Sequence, residues 1–106
     1  MSYVLPYIKE FSRYKRVYLH DYDDLSSFVS IQLLDAVNPD LEIHESDQGQ
    51  FVILHLIWDE DEYEFEFNVI NSGKFEMVLG GNHLENYELS EEGLMLPGGV
   101  ATVYQR

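Results

Sequence analysis

The chain has 106 residues, 45% of them hydrophobic and 14% aromatic, which is enough apolar material for one core and predicts a single domain over residues 1–106. It contains no cysteine, which excludes disulfides, thiolate metal sites and cysteine nucleophiles. The net charge of −14 disfavours direct binding to nucleic acid or to a membrane. With no apolar run of 18 residues and no evident secretory signal, the expected compartment is the cytoplasm.

The charge is distributed unevenly along the chain. Residues 1–16 hold four bases against one acid, a net charge of +3, whereas residues 17–106 hold 19 acids against two bases, a net charge of −17. An acidic body of this kind attracts basic protein surfaces. The other explanation is that the acids only keep a small protein soluble, and the sequence leaves both explanations open.

Two helices are predicted in the first forty residues. The first begins near residue 5 or 6, because Pro6 is tolerated only in a first turn, and its apolar face is formed by Val4, Tyr7, Ile8, Phe11 and Tyr14. Residues 16–21 are predicted as a short strand or a linker. The second helix follows Asp23 or Asp24 as N-cap and ends at "NPD", residues 38–40, because the residue before a proline avoids the helical region.

The remainder predicts a β-meander. Strands are expected near residues 41–46, 51–58, 62–70 and 74–79, joined by "DQGQ", "DEDE" and "NSG". One helical turn is expected after Ser90, and residues 99–105 read as a last short strand. The predicted fold class is therefore α+β, with two N-terminal helices packed on an antiparallel β-meander of four to five strands.

The stretch "DEDEYEFEF", residues 59–67, alternates acidic and aromatic residues. Alternation in a strand puts Tyr63, Phe65 and Phe67 on an inner face and the intervening glutamates on an outer face. A four-residue loop would pair Trp58 with Tyr63, Leu56 with Phe65 and Leu54 with Phe67. The outer face would then also carry an apolar stripe of Phe51, Ile53 and Ile57. We expect the N-terminal helix or the 84–106 segment to cover that stripe, with a second subunit or a target protein as the alternative.

The carboxylates of this stretch form the predicted binding surface. Alternate side chains on a strand stand about 6.7 Å apart, comparable with neighbouring phosphates of a nucleic-acid strand, so the row could enter a basic groove. Their mutual repulsion is only about 0.6 kcal/mol per pair in water, so a solvated face without any function also tolerates them. The predicted partner-binding residues are Asp59, Glu60, Asp61, Glu62, Glu64 and Glu66, with Trp58 as an apolar anchor.

The sequence contains little evidence for metal binding or catalysis. The predicted register brings together two histidines and two carboxylates that could hold a divalent ion, namely His44, His55, Glu42 and Glu66. Their spacing is not that of a ligand motif, and "DEDEYEFEFNVI" lacks the glycine and the terminal glutamate of an EF-hand. No nucleophile-elbow pattern or phosphate-binding glycine loop occurs. We therefore expect no metal, no cofactor and no enzymatic activity.

The leading functional hypothesis is a small acidic binding protein that inhibits or neutralises a basic, nucleic-acid-handling protein such as a nuclease. A phage inhibitor of a bacterial defence complex and an immunity protein against a nuclease toxin are the two settings, by analogy of class. The alternative is a structural or regulatory domain that self-associates, for example as a homodimer, through the apolar outer stripe, with the acidity serving only solubility.

Overall fold

Strands make up most of the fold. The computed structural model describes residues 2–20, 26–71, 74–84 and 87–105. The strands in these ranges are β1 (Ser2–Val4), β2 (Tyr7–Ile8), β3 (Arg13–Tyr14), β4 (Val17–Leu19), β5 (Phe28–Ser30), β6 (His44–Ser46), β7 (Gly49–Trp58), β8 (Asp61–Ile70), β9 (Met77–Leu79), β10 (Leu89–Ser90), β11 (Gly93–Leu96), β12 (Gly99–Ala101) and β13 (Tyr104–Gln105). The helices are α1 (Ile31–Val37), α2 (Gly81–Leu84) and a short 3₁₀ helix (Lys9–Phe11). In the ranges described, no helix has the length and apolar character needed to cross a bilayer.

Ten of the strands form one sheet that curls into a half-barrel. Its order is β13-β1-β4-β9-β5-β8-β7-β2-β3, and β6 pairs with β7. Two neighbouring pairs are parallel, β4 with β9 and β5 with β8, and the other pairs are antiparallel. The strands β10, β11 and β12 form a separate antiparallel sheet that places Leu94, Leu96 and Ala101 in the core.

The predicted α+β fold with two N-terminal helices is wrong. Over residues 3–14 the chain forms β1, β2, the 3₁₀ helix and β3 in place of a helix. Val4, Ile8 and Phe11 are buried as the predicted helical face required, but Pro6 separates two strands and does not begin a helix. Tyrosine, valine and isoleucine favour extended backbone once a partner strand exists, and Ile8 finds that partner in Leu56 of β7.

The second predicted helix is confirmed only in its C-terminal part. Only Ile31–Val37 is helical, and the helix ends before Pro39 as predicted. Phe28–Ser30 forms β5, which inserts between β8 and β9 and pairs with both. The predicted N-caps Asp23 and Asp24 lie outside the described residues.

The β7–β8 hairpin confirms the predicted faces but not the predicted register. Trp58 pairs with Asp61, so the loop has two residues where four were expected. Asp59 and Glu60 both have positive φ angles, 49° and 75°, as a two-residue hairpin turn of type I′ requires. The whole ladder is therefore shifted by two residues, which leaves every side chain on its predicted face.

The predicted meander also fails after β8. We expected residues 74–79 to return beside β8, but β9 lies between β4 and β5. All three residues of β9, Met77 to Leu79, are buried, because a strand in the middle of a sheet with both faces covered has no solvent side. The helical turn expected after Ser90 is instead the tight turn between β10 and β11.

Candidate functional site

The glutamates Glu62, Glu64 and Glu66 lie exposed on the outer face of β8, as predicted. Two of the three have a basic neighbour. Lys9 Nζ lies 3.3 Å from a carboxylate oxygen of Glu62, and His55 Nε2 lies 3.4 Å from one of Glu64. The predicted row of free carboxylates is therefore partly neutralised from within the chain.

The other predicted acids are separated from that row. Asp59 and Glu60 form the hairpin turn, and Asp61 follows on the opposite face, beside the turn between β11 and β12. The Gly98 N–H in that turn donates to the Tyr63 hydroxyl at 3.3 Å, and a Cβ placed on Gly98 would come within 2.7 Å of an Asp61 carboxylate oxygen. The structure therefore divides the predicted acidic surface into an outer row, a turn and one exposed residue on the other face of β8.

His55 is held by Glu10 of the 3₁₀ helix. One carboxylate oxygen of Glu10 accepts the backbone N–H of His55 at 2.7 Å, and the other lies 2.6 Å from its Nδ1. This contact closes the edge of β7 between the residues that pair with β2 and those that pair with β6. The hydrogen bond from Glu10 and the charges of Glu10, Glu62 and Glu64 raise the pKa of His55, against a smaller opposing effect of burial.

The histidines and carboxylates that the predicted register would bring together do not form a cluster. His44 stacks on Phe51, with the ring centroids 5.2 Å apart, while His55 is engaged by Glu10 and Glu64. Nowhere in the described ranges do three histidine, aspartate or glutamate side chains come together in a group that could hold a metal ion.

A buried serine–histidine pair was not anticipated from the sequence. Ser27, which is 1% exposed, accepts the backbone N–H of Gly80 at 2.9 Å, and its hydroxyl lies 2.5 Å from Nδ1 of His83. The His83 ring packs edge-on against Phe65, and burial lowers the pKa of this histidine. A catalytic serine must reach its substrate, so the burial of Ser27 assigns the pair a structural role, joining α2 to the segment before β5.

The two histidines should give opposite dependences of stability on pH. Because the pKa of His55 is raised in the folded state, His55 stabilises the fold fully below pH 6.5. That stabilisation is lost as the pH rises through the folded-state pKa. The lowered pKa of His83 means that stability falls as the pH drops below 6.5, where only the unfolded chain takes up the proton. We expect His55→Gln to lower the melting temperature more at about pH 5.5 than at about pH 8.5.

The control for this measurement is His44→Gln, because His44 contacts an aromatic ring where His55 contacts carboxylates. It measures what the loss of an imidazole outside the Glu10 contact does to the melting temperature at the same two pH values. If His55→Gln lowers the melting temperature equally at both pH values, then the Glu10 contact does not depend on the imidazolium charge.

A groove of about 500 Å³ lies at the hairpin-turn end of β7. Among the residues that the structure describes, five large hydrophobic side chains are exposed. Three of them, Leu5, Tyr14 and Tyr104, line this groove. The other lining residues are Tyr7, Ile57, Trp58, Asp59, Glu60, Val100, Ala101 and Thr102. Three predicted site residues, Trp58, Asp59 and Glu60, thus lie on one wall of a groove that the sequence did not reveal.

A second cleft of about 410 Å³ adjoins the groove. The two share Leu5 and Tyr14, and the second is also lined by Lys15, Arg16, Tyr18 and Glu76. Lys15 Nζ lies 2.7 Å from a carboxylate oxygen of Glu76, and the Arg16 guanidinium lies 4.9 Å above the ring of Tyr3. The sequence contains eight tyrosines, and several of them remain half-exposed in the structure. This tyrosine content was the feature of the sequence that could have indicated an aromatic binding surface.

The outer apolar stripe is half-buried. Phe51, Ile53 and Ile57 all have intermediate exposure, and none is among the exposed large hydrophobic side chains of the described chain. The expected cover by residues 84–106 is wrong, because that segment packs its apolar residues into the core with Leu54 and Leu56. The N-terminal segment does contact the outer face: Tyr7 pairs with Ile57 as a neighbouring strand. Lys9 and Glu10 of the same segment contact Glu62 and His55.

No protein-family model matches the chain, and no curated protein matches it in sequence. Among solved structures, the chain is similar to the retroviral protease-like domain of Ddi1 from Leishmania major, with a TM-score of 0.74 and 10% sequence identity. The similarity covers 99% of this chain and 94% of that one.

This likeness contradicts the predicted inhibitor or immunity protein. That hypothesis rested on an analogy with small acidic domains, and acidity is a surface property that does not specify a fold. The contacts of Lys9 and His55 with Glu62 and Glu64 further show that part of the charge is matched inside the chain. At 10% identity the similarity establishes the architecture, and the chain has the fold of a retroviral protease-like domain.

Proposed function

We propose that this chain is a non-enzymatic protein-recognition domain that binds a segment of a partner protein in the groove between the β7–β8 turn and β13. The observation that carries the proposal is the gathering of Leu5, Tyr14 and Tyr104 in one groove. Contiguous exposed apolar surface is costly to maintain in a monomer and marks sites of interaction. Tyrosine and tryptophan are also the residues that contribute most to binding at interfaces.

The composition of the groove favours a partner with basic groups beside an apolar side chain. Asp59 and Glu60 lie on the wall next to Trp58, and the body around them is strongly acidic. Opposite charges steer the approach of a partner and select among partners, while the desolvated aromatic surface supplies most of the affinity. The proposal places this encounter in the cytoplasm, with the chain acting as a single domain.

A catalytic role of the aspartic-protease kind would need a pair of neighbouring acids. Aspartic proteases work with two carboxylates that lie close enough to share one proton. Within the described ranges the buried polar side chains are Ser27 and Ser30, and neither is an acid. Asp21, Asp23 and Asp24 lie outside those ranges.

The proposal is tested by selecting binders from a displayed library of random peptides and measuring their affinities for groove variants. We expect Tyr14→Ser and Leu5→Ser each to weaken binding about tenfold, which corresponds to about 1.4 kcal/mol. Leu89→Ser is the matched control, because Leu89 is 45% exposed, close to Leu5 at 39%, and lies outside the groove.

Three results would overturn the proposal. The library could yield no binder, or the selected peptides could bind Tyr14→Ser and Leu5→Ser as tightly as the unmodified protein. Mass spectrometry could also find the selected peptides cleaved by the purified chain. Cleavage that is lost when Asp21, Asp23 and Asp24 are changed to asparagine would establish an acid protease.

A further inference from the structure

The groove and the adjoining cleft are lined by opposite charges. Asp59 and Glu60 line the groove but not the cleft, and Arg16 lines the cleft but not the groove. Leu5 and Tyr14 line both and therefore lie between the two charged ends. An extended ligand that crosses the apolar centre would pass from an acidic end to a basic end.

Within the described ranges, the charges at both ends have no ionic partner. No ion pair in the described part of the chain involves Asp59, Glu60 or Arg16, whereas Lys9 and Lys15 are matched to acids. The Arg16 guanidinium lies over the Tyr3 ring, which orients it and leaves its N–H groups free to donate to a carboxylate. Among the described residues that line the cleft, Glu76 is the one acid, and Lys15 pairs with it.

We infer that the groove and cleft together bind an extended peptide segment with an apolar side chain at its centre, a basic residue toward Asp59 and Glu60, and an acidic residue toward Arg16. The inference rests on the proposed function and specifies the ligand chemistry of that site. The apolar centre supplies affinity, and the two end charges select the ligand and set its direction.

Total charge and local charge make different predictions for this ligand. The net charge of −14 alone would rank a peptide with two lysines above one with a lysine and a glutamate. The local charges reverse that order, because a second lysine would face Arg16. At physiological salt the screening length is about 8 Å, so the neighbouring charges should dominate over the distant ones.

The experiment measures fluorescence anisotropy of three labelled peptides that share a central phenylalanine. One has lysine on one side and glutamate on the other, one has lysine on both sides, and one has glutamate on both sides. We expect the mixed peptide to bind best, by about threefold for each matched charge, as is usual for exposed pairs. We expect Arg16→Glu to reverse the order, so that the two-lysine peptide binds best.

The acidic end can be tested without loss of the fold. Asp59 and Glu60 have positive φ, where an asparagine–glycine pair is the most favourable two-residue turn. The double variant Asp59→Asn, Glu60→Gly removes both charges, and we expect it to melt at a higher temperature than the unmodified protein. It should lose the preference for lysine while the apolar centre still binds.

The outcomes separate the two proposals. If replacing the central phenylalanine by alanine leaves binding unchanged, or if no peptide binds, the proposed function fails and this inference fails with it. If phenylalanine is required but the two-lysine peptide binds the unmodified protein best, or Arg16→Glu leaves the order as it was, then only the inference about ligand charge is wrong.

Discussion

Replacing Phe65 by alanine should lower the free energy of unfolding by about 3–5 kcal/mol, the range for a buried aromatic side chain. Phe65 is 1% exposed on the inner face of β8, and its ring lies within 6.4 Å, centroid to centroid, of four other rings. Those rings belong to Trp58, Phe67, His83 and Tyr87. The loss would remove a large part of the stability of a domain of this size.

Urea denaturation followed by tryptophan fluorescence measures this effect, because Trp58 is the one tryptophan and is in contact with the Phe65 ring. Glu66→Ala is the control, since Glu66 adjoins Phe65 on the exposed face of the same strand. We expect the control to stay within about 0.5 kcal/mol of the unmodified protein. Equal effects of the two changes would contradict the assignment of inner and outer faces.

Replacing Ser27 by alanine should cost about 1–3 kcal/mol, although only one oxygen atom is removed. The Ser27 hydroxyl accepts the backbone N–H of Gly80 in a buried position, and without it that donor has lost its acceptor. His83 also loses the Ser27 hydroxyl, which lies 2.5 Å from its Nδ1. Because β9 ends and α2 begins at this point, the change should loosen the contact of α2 with the sheet.

The same urea titration measures this change, with Ser26→Ala as the control, because Ser26 is the exposed neighbour of Ser27. Hydrogen exchange then gives a second reading at the amide of Gly80, which should exchange faster in Ser27→Ala than in Ser26→Ala. If Ser27→Ala is as stable as Ser26→Ala, then the Gly80 N–H has another acceptor.

The β7–β8 hairpin shows how much a local pattern can predict. Alternation over residues 51–70 was enough to identify two strands, their inner residues and the exposed glutamates, because side chains alternate between the faces of any strand. The register was wrong by two residues, since a two-residue turn with positive φ at Asp59 and Glu60 was not expected from residues other than asparagine and glycine.

The N-terminal segment shows where local pattern fails. Val4, Ile8 and Phe11 are buried at intervals that a helix would also produce, and the chain reaches those positions by two strands and a 3₁₀ helix. What decides between these conformations is the edge of β7, some fifty residues further along, where Ile8 pairs with Leu56 and Glu10 binds His55. Long-range pairing of this kind overrides a weak local preference.

The residues of the candidate site were likewise only partly predictable from the sequence. Trp58, Asp59 and Glu60 were chosen from the sequence as binding residues, and they line the groove. Leu5, Tyr14 and Tyr104 were not chosen, because they come from three distant segments that only the curled sheet brings together. The grouping of His44, His55, Glu42 and Glu66 followed from the predicted register, and the observed register does not bring them together as a metal-binding group.

The sequence by itself determined the long amphipathic hairpin, the exposed carboxylates and the end of helix α1 before Pro39. These depend on neighbours in the chain, through the alternation of a strand and the restriction that proline imposes. Only the tertiary structure decided that β5 lies between β8 and β9, that the N-terminal segment is extended, and that a groove forms beside the hairpin turn. These depend on which distant segments pair, and the free energy of that pairing comes from burial shared across the whole core.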